Sequence, residues 1–127
     1  ANRPITLRNS IFYDNTGGNA FNPWALLNPV QGGSNNIQFP QERPGSFGLQ
    51  ELPVTPDAIF ANANLAALAN NGGPTTTMAL LLPSPAINAG TATSAPSLDQ
   101  RGYPRVAAVD IGAYEEQFDV LFSNGFE

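Results

Sequence analysis

The phrases Asp99-Gln100-Arg101-Gly102 and Asp110-Ile111-Gly112-Ala113-Tyr114-Glu115 bring acidic and basic side chains close together in a chain whose charged fraction is only 12%. Two earlier phrases are rich in turn-forming residues: Asn71-Gly72-Gly73-Pro74-Thr75 and Ser84-Pro85-Ala86-Ile87-Asn88-Ala89-Gly90. Asn and Gly tolerate left-handed φ angles, and Pro returns the chain to an extended path. These phrases predict a loop-rich second half built from turns and very short strands.

Composition excludes several classes of function. The 127 residues suffice for one domain or a fragment of one, and the net charge of −5 argues against binding nucleic acid or anionic lipid. The chain has no His and no Cys, so zinc, iron–sulfur and haem sites lack their ordinary ligands, as does a Ser-His-Asp triad. We expect no cofactor. Calcium binding by Asp14, Asn15 and Asn19 is an alternative, although a turn is the favoured interpretation there.

Three short segments predict strands with a common pattern of a polar residue followed by Ile and Phe. They lie at residues 5–13, 36–39 and 57–60, which places them about one solenoid turn apart. The fold class expected is therefore all-β, a short right-handed parallel β-helix segment with a loop-rich C-terminal capping region. One short helix is predicted at residues 62–69, which are rich in Ala and Leu and end at Asn70-Asn71-Gly72-Gly73.

Further strands are predicted at residues 76–82, 86–88, 103–109, 111–114 and 118–122. Residues 13–60 hold long loops, which must be packed by their own side chains or by a neighbour. Trp24, with Leu26 and Leu27, is the candidate to cover the side of the solenoid. No apolar run is long enough to span a membrane.

The four phrases, in this order, resemble the choice-of-anchor Q region of bacterial secreted proteins. In that family a right-handed parallel β-helix runs into a closing segment with NGGPT, SPAIxAG, DQRGxxR and DIGAxE phrases, and the match covers residues 57–115. The resemblance implies a β-helix fold and a secreted or cell-surface location, but no particular activity. It divides the chain into terminal β-helix coils (1–60), a closing region (61–117) and a C-terminal strand or tail (118–127).

The candidate site residues are Asp99, Arg101, Arg105 and Asp110. We expect two Asp–Arg pairs that staple the closing region to the last coil, because bidentate Arg–carboxylate bonds fix geometry. The alternative is a sugar-binding site or the base of a polysaccharide lyase, but a lyase groove needs more coils than this chain supplies. Asn9, Asn35 and Asn36 are predicted to form an amide ladder along stacked coils.

Three functions follow as hypotheses. The leading one is a non-enzymatic anchoring domain of a secreted or surface β-helix protein, whose partner is the upstream β-helix of a parent chain. The second is a self-assembling extracellular filament, with assembly candidates at both ends of the chain: Ile5, Leu7, Phe118, Val120 and Phe122. The third is a carbohydrate-active or carbohydrate-binding module whose stacking faces come from Tyr13, Trp24, Tyr103 and Tyr114.

Overall fold

A computed structural model describes residues 4–15, 29–42, 48 and 50–117. Within these ranges there is no helix, and five short strands form the regular structure. They are β1 (Thr6–Arg8), β2 (Ile11–Tyr13), β3 (Gly32–Ser34), β4 (Ile37–Phe39) and β5 (Ile59–Phe60). The described part of the chain is thus mostly β, as the sequence predicts.

All the strand pairs are parallel. β1 pairs with β3, and β2, β4 and β5 form a three-stranded sheet in that order. Parallel neighbours need long connections rather than hairpins, which agrees with the wide spacing of the strands along the sequence. The register brings Ile11, Ile37 and Ile59 into one column.

The predicted strand at residues 5–13 is interrupted at Asn9, which has a φ of 50°. Asn35 takes the equivalent place after β3, with a φ of 56°. Asparagine tolerates this left-handed region better than other non-glycine residues, so it can bend a chain between two strands. The single strand expected from the alternating pattern is therefore two strands joined by an asparagine bend.

β3 was not predicted, because residues 13–60 were expected to hold long loops between the predicted strands. Gly33 has a φ of 120°, and a side chain there would collide with the main chain of Leu7 in the neighbouring strand. Close approach of the two backbones therefore requires glycine at this strand position.

The core lies on the inner side of the three-stranded sheet. Ile37 is fully buried there, and it packs with four residues of the second half of the chain: Ala63, Leu80, Ala86 and Ile111. The predicted repeat places Phe39 level with Phe12, whereas the observed register pairs Phe39 with Tyr13. Their rings stack with centroids 5.7 Å apart. The isoleucines, rather than the phenylalanines, are the aligned feature of the repeat.

Two buried amide side chains tie the strands to their connections. The Nδ2 of Asn36 donates to the Leu7 carbonyl and to the Thr55 hydroxyl, while its Oδ1 accepts from the Ser10 N–H. The amide of Gln38 donates to the Leu52 carbonyl and accepts from the Val54 N–H. Buried amides need such partners, because an unsatisfied polar group costs folding free energy.

The predicted helix at residues 62–69 is wrong. Leu65 and Ala69 instead form antiparallel bridges with Leu80 and Thr77, and the Ala66 N–H donates to the Ala79 carbonyl. Alanine and leucine favour helix only weakly, and pairing across the chain overrides that preference here. A left-handed φ of 51° at Asn64 is also incompatible with a helix.

Several other strands predicted in the second half of the chain are reduced to isolated bridges or are absent. Residues 76–82 contribute bridges only at Thr77 and Leu80, and residues 103–109 contribute one bridge, between Pro104 and Leu98. Residues 86–88 form a turn, and residues 111–114 lie in irregular structure. Trp24, Leu26, Leu27 and the candidates Phe118, Val120 and Phe122 lie outside the described residues. In the described ranges no helical segment has the length and apolar content to cross a membrane.

Candidate structural site in the closing region

The closing region, residues 61–117, contains a buried ion pair between Asp99 and Arg101. The Arg101 Nη2 lies 2.7 Å and its Nε 2.9 Å from Oδ2 of Asp99. The Nη2 of Arg101 also donates to the Glu115 carbonyl at 2.6 Å. Both side chains are almost fully buried, so the pair contributes to folding only because additional hydrogen bonds satisfy the remaining groups.

Asp99 begins a tight turn, which the Gly102 N–H closes by donating to the Asp99 carbonyl. Its Oδ1 accepts from the N–H groups of Arg101 and Tyr103, and its Oδ2 accepts from the Glu115 N–H at 3.0 Å. Burial raises the pKa of the Asp99 carboxyl, but these hydrogen bonds, together with the one from the Arg101 side chain, outweigh burial and hold its pKa below the usual value. The folded structure therefore favours the charged carboxylate.

The Arg101 guanidinium contacts two aromatic rings. Its Cζ is 3.7 Å from the ring centroid of Tyr114 and 4.4 Å from that of Tyr103. Cation–π contact of this kind favours arginine over lysine. The turn at Gly73, with a φ of 77°, packs directly on the Arg101 main chain.

A second ion pair joins Arg105 to Glu115, whose atoms Nη1 and Oε2 are 2.8 Å apart. Glu115 also accepts from the N–H groups of Asp110 and Val106. Burial raises the pKa of the Glu115 carboxyl, and the nearby charge of Asp110 adds to this; the three hydrogen bonds oppose the shift without cancelling it.

Of the two predicted Asp–Arg pairs, the pair of Asp99 with Arg101 forms. Arg105 pairs with the carboxylate of Glu115 and not with that of an aspartate. Asp110 instead offers its main-chain carbonyl to Arg105 at 3.3 Å. Its carboxylate accepts from the N–H groups of Asn88 and Glu116. Glu115 is the last residue of the phrase that begins at Asp110, so the partner of Arg105 was present in a phrase already singled out. Sequence reasoning paired the aspartates with the arginines and passed over the glutamate.

The four sequence phrases meet in space. Gln100 bonds Thr75 of the first phrase through its side chain and Ala113 of the last through its main chain. The second phrase joins the last through the Ile111 N–H, which donates to the Ala86 carbonyl. Four short segments that lack regular secondary structure are thus fixed to one another by main-chain and charged hydrogen bonds.

The closing region also bonds the asparagine bends of the strands. Asn9 donates to the Thr91 carbonyl and accepts from the Thr91 N–H, each at 2.8 Å. Asn35 donates to the Ala89 carbonyl at 2.9 Å, and the Gly112 N–H donates to the Asn9 carbonyl. The predicted ladder of mutually bonded amides is therefore wrong for Asn9 and Asn35, whose amides bond the closing region instead.

An open groove of about 530 Å³ lies beside Ser10 and Ile11. Its walls are largely apolar, and they include the exposed side chains of Leu68 and Met78. Tyr114, one of the proposed sugar-stacking residues, lines the groove, but one face of its ring is covered by Arg101. Tyr13 and Tyr103 also each have a ring face in contact with the protein.

Among the described residues, no three acidic side chains are close enough to hold a metal ion together. Asp14, a calcium candidate, has a φ of 49°, and its N–H donates to the Phe39 carbonyl. Asn19 lies outside the described residues.

No family model matches this chain, and no curated protein sequence matches it significantly.

Proposed function

We propose that this chain is a non-enzymatic structural domain of a secreted or cell-surface protein of bacterial type. In this proposal its strands form a short right-handed parallel β-helix, and the closing region seals the side of that stack. One observation carries the proposal: the charged side chains of the four phrases are buried and bond one another and the main chain. Charges used in this way hold loops in place and are not available to a substrate.

Two further observations support a stacked arrangement. The strands pair in parallel in chain order, and equivalent asparagine bends follow β1 and β3. Both bends bond residues 89–91, so one segment holds two successive levels of the ladder. A segment that bridges levels resists their separation, which suits an anchoring domain exposed to mechanical or proteolytic stress.

The competing function is carbohydrate binding or polysaccharide lysis, with Arg101 or Arg105 as the base. Arg101 donates two bonds to Asp99 and contacts two aromatic rings, and Arg105 is held by Glu115 and by the Gly112 carbonyl. A catalytic base must reach a substrate proton. The geometry of these arginines disfavours that role.

The deciding experiment incubates the protein with a panel of uronate polymers and follows the absorbance of unsaturated products. The expected result is no product. Unfolding of Arg105→Met in urea is measured in parallel, and a marked loss of stability is expected. Product formation that is lost in a folded Arg101 or Arg105 variant would overturn the structural proposal, and binding on a glycan array would favour the carbohydrate alternative. Protease shaving of intact cells tests the surface location.

A further inference from the structure

The two ends of the parallel ladder carry complementary main-chain groups. In β2, the Ser10 carbonyl accepts from the Ile37 N–H and the Asp14 N–H donates to the Phe39 carbonyl. Because main-chain groups alternate in direction along a strand, the N–H and C=O groups of Ile11 and Tyr13 face away from β4. No partner for them lies among the described residues.

The opposite end of the ladder is β5. Its Ile59 N–H donates to the Asn36 carbonyl, and the Ala61 N–H donates to the Gln38 carbonyl. By the same alternation, the N–H and C=O of Phe60 and the C=O of Ala58 face away from β4. The Ile59 side chain is 47% exposed, although the equivalent Ile37 is fully buried.

We propose that β5 of one copy pairs with β2 of a second copy, in parallel and in the register already used inside the chain. The Ile11 and Tyr13 N–H groups then donate to the carbonyls of Ala58 and Phe60 in the other copy. The Phe60 N–H donates to the Ile11 carbonyl. These three bonds satisfy every outward group named above except the Tyr13 carbonyl, and Ile59 of one copy extends the isoleucine column of the other.

Charge agrees with this register. Extending the observed alignment by two residues places Asp57 of one copy opposite Asn9 of the next, one residue from Arg8. Asp57 and Arg8 are both exposed. Within the described ranges Arg8 is the one arginine outside the buried network. A contact between two different surfaces, as here, repeats head to tail and produces a linear filament rather than a closed dimer.

The proposal extends the proposed structural function, since a structural domain can act alone or in a filament. Unpaired strand edges attract further strands unless they are covered. The occupant of the β2 edge is assigned to a second copy because β5 supplies matching donors, acceptors, an exposed isoleucine and an acidic residue in one register.

The first test uses proline to remove one N–H at a time. Phe60→Pro removes an outward N–H, and the matched control Ala61→Pro removes one that bonds Gln38 inside the chain. Proline is tolerated at an edge position whose N–H faces outward. We expect the wild-type protein to form linear species whose mass rises with concentration, and Phe60→Pro to remain a folded monomer. Ala61→Pro should lose stability.

The second test uses cysteine cross-linking, which has no background because the chain lacks Cys. Phe12 and Phe60 each pair with Gln38, so the proposed register places Phe60 of one copy directly opposite Phe12 of the next. Strand spacing of about 4.8 Å suits a disulfide. The double variant Phe12→Cys, Phe60→Cys should give a ladder of multimers, and a mixture of the two single variants should give only dimers.

A wild-type protein that stays monomeric up to millimolar concentration, with no cross-linked ladder in the double variant, would overturn the proposal. That result is expected if the β2 edge belongs to an upstream strand of a longer chain. Equal cross-linking of each single variant alone would also overturn it, since the contact would then join the same strand of two copies. The polymer-cleavage and unfolding assays on Phe60→Pro test the structural function separately, because that variant keeps the hydrogen bonds that Ile59 and Ala61 donate to β4.

Discussion

Single residues of the closing region show how a buried charge can be stabilising. Asp99 accepts three main-chain N–H groups as well as the Arg101 side chain. Each of its oxygens therefore has partners that replace water. Removal of one member of such a pair leaves the other buried without compensation, which costs more than the pair contributes.

Asp99→Asn should therefore lower the free energy of unfolding by about 3–5 kcal/mol. The amide keeps the size of the side chain but cannot accept all five bonds, and it leaves the Arg101 charge uncompensated. The matched control is Glu42→Gln, since Glu42 is exposed and its side chain accepts from Gln50 alone among the described residues. Urea denaturation measures both. A midpoint for Asp99→Asn equal to that of the control would contradict this account of the site.

The two buried carboxyls predict opposite dependences on pH. The pKa of Asp99 is lowered in the folded state, so its contribution to stability is present above its ordinary value of 3.8 and is lost as the pH falls through the lower, folded-state value. The pKa of Glu115 is raised, so its contribution is complete below 4.5 and is lost as the pH rises through the folded-state value.

Glu115→Gln should abolish the decline in stability above pH 4.5 while retaining the decline caused by Asp99 at lower pH. The variant is less stable overall, because it loses the ion pair with Arg105, so the comparison concerns the shape of the profile. Urea midpoints between pH 3 and 7 measure it, with Glu42→Gln as the control. A decline above pH 4.5 that persists in Glu115→Gln would show that another group causes it.

At the scale of elements, turns rather than strands organise the second half of the chain. The turn at Gly73 lies against the Arg101 main chain, where an added Cβ would lie 2.5 Å from Cα and 2.7 Å from the carbonyl oxygen. Gly102 has a similar φ of 84°, but a Cβ there would contact nothing within 4 Å. A comparison of alanine substitutions at the two glycines therefore distinguishes the cost of a positive φ from the cost of a steric conflict.

Gly102→Ala should cost about 1 kcal/mol, the price of a left-handed conformation for a residue with a Cβ. Gly73→Ala should cost on the order of 3 kcal/mol, because the turn must also move away from Arg101. Thermal or urea unfolding of the two variants gives the comparison. Equal losses would mean that the turn does not need its close contact with Arg101.

The contact between the asparagine bend and the closing region predicts a local effect. Asn9→Gly keeps the left-handed backbone but removes the side chain that accepts from the Thr91 N–H. Hydrogen exchange at the Thr91 amide should then become faster. Asn35→Gly is the control, because Asn35 bonds Ala89 and leaves the Thr91 N–H protected. Unchanged exchange at Thr91 in Asn9→Gly would contradict the observed contact.

At the scale of the whole molecule, the ladder and the closing region share one core. Ile37 of β4 packs with Leu80, Ala86 and Ile111, so neither part buries its apolar side chains alone. The strands are too short to be stable independently. We expect the described parts to unfold together, as small single domains usually do.

Asp99→Asn should therefore lower the free energy of opening at the Ile37 amide, which lies in the ladder, by as much as it lowers the global free energy of unfolding. Native-state hydrogen exchange measures the two quantities in the same protein. Wild-type protection at Ile37 in the destabilised variant would mean that the ladder and the closing region are separate folding units.

Part of this molecule was predictable from its residues. The mostly β character, strands near residues 5–13, 36–39 and 57–60, and a clustering of Asp99 and Arg101 all follow from local patterns. The sequence by itself also determined which chemistries lack their usual residues, because a chain without His or Cys cannot supply their side chains.

Only the tertiary structure decided the remaining features, because they depend on contacts between distant residues. The β3 strand exists because Gly33 admits the backbone of Leu7, and residues 62–69 are extended because residues 77–80 pair with them. Arg105 bonds Glu115 rather than the Asp110 carboxylate because the last phrase folds back over it. Local propensities amount to a few tenths of a kcal/mol per residue, so burial and long-range hydrogen bonds override them.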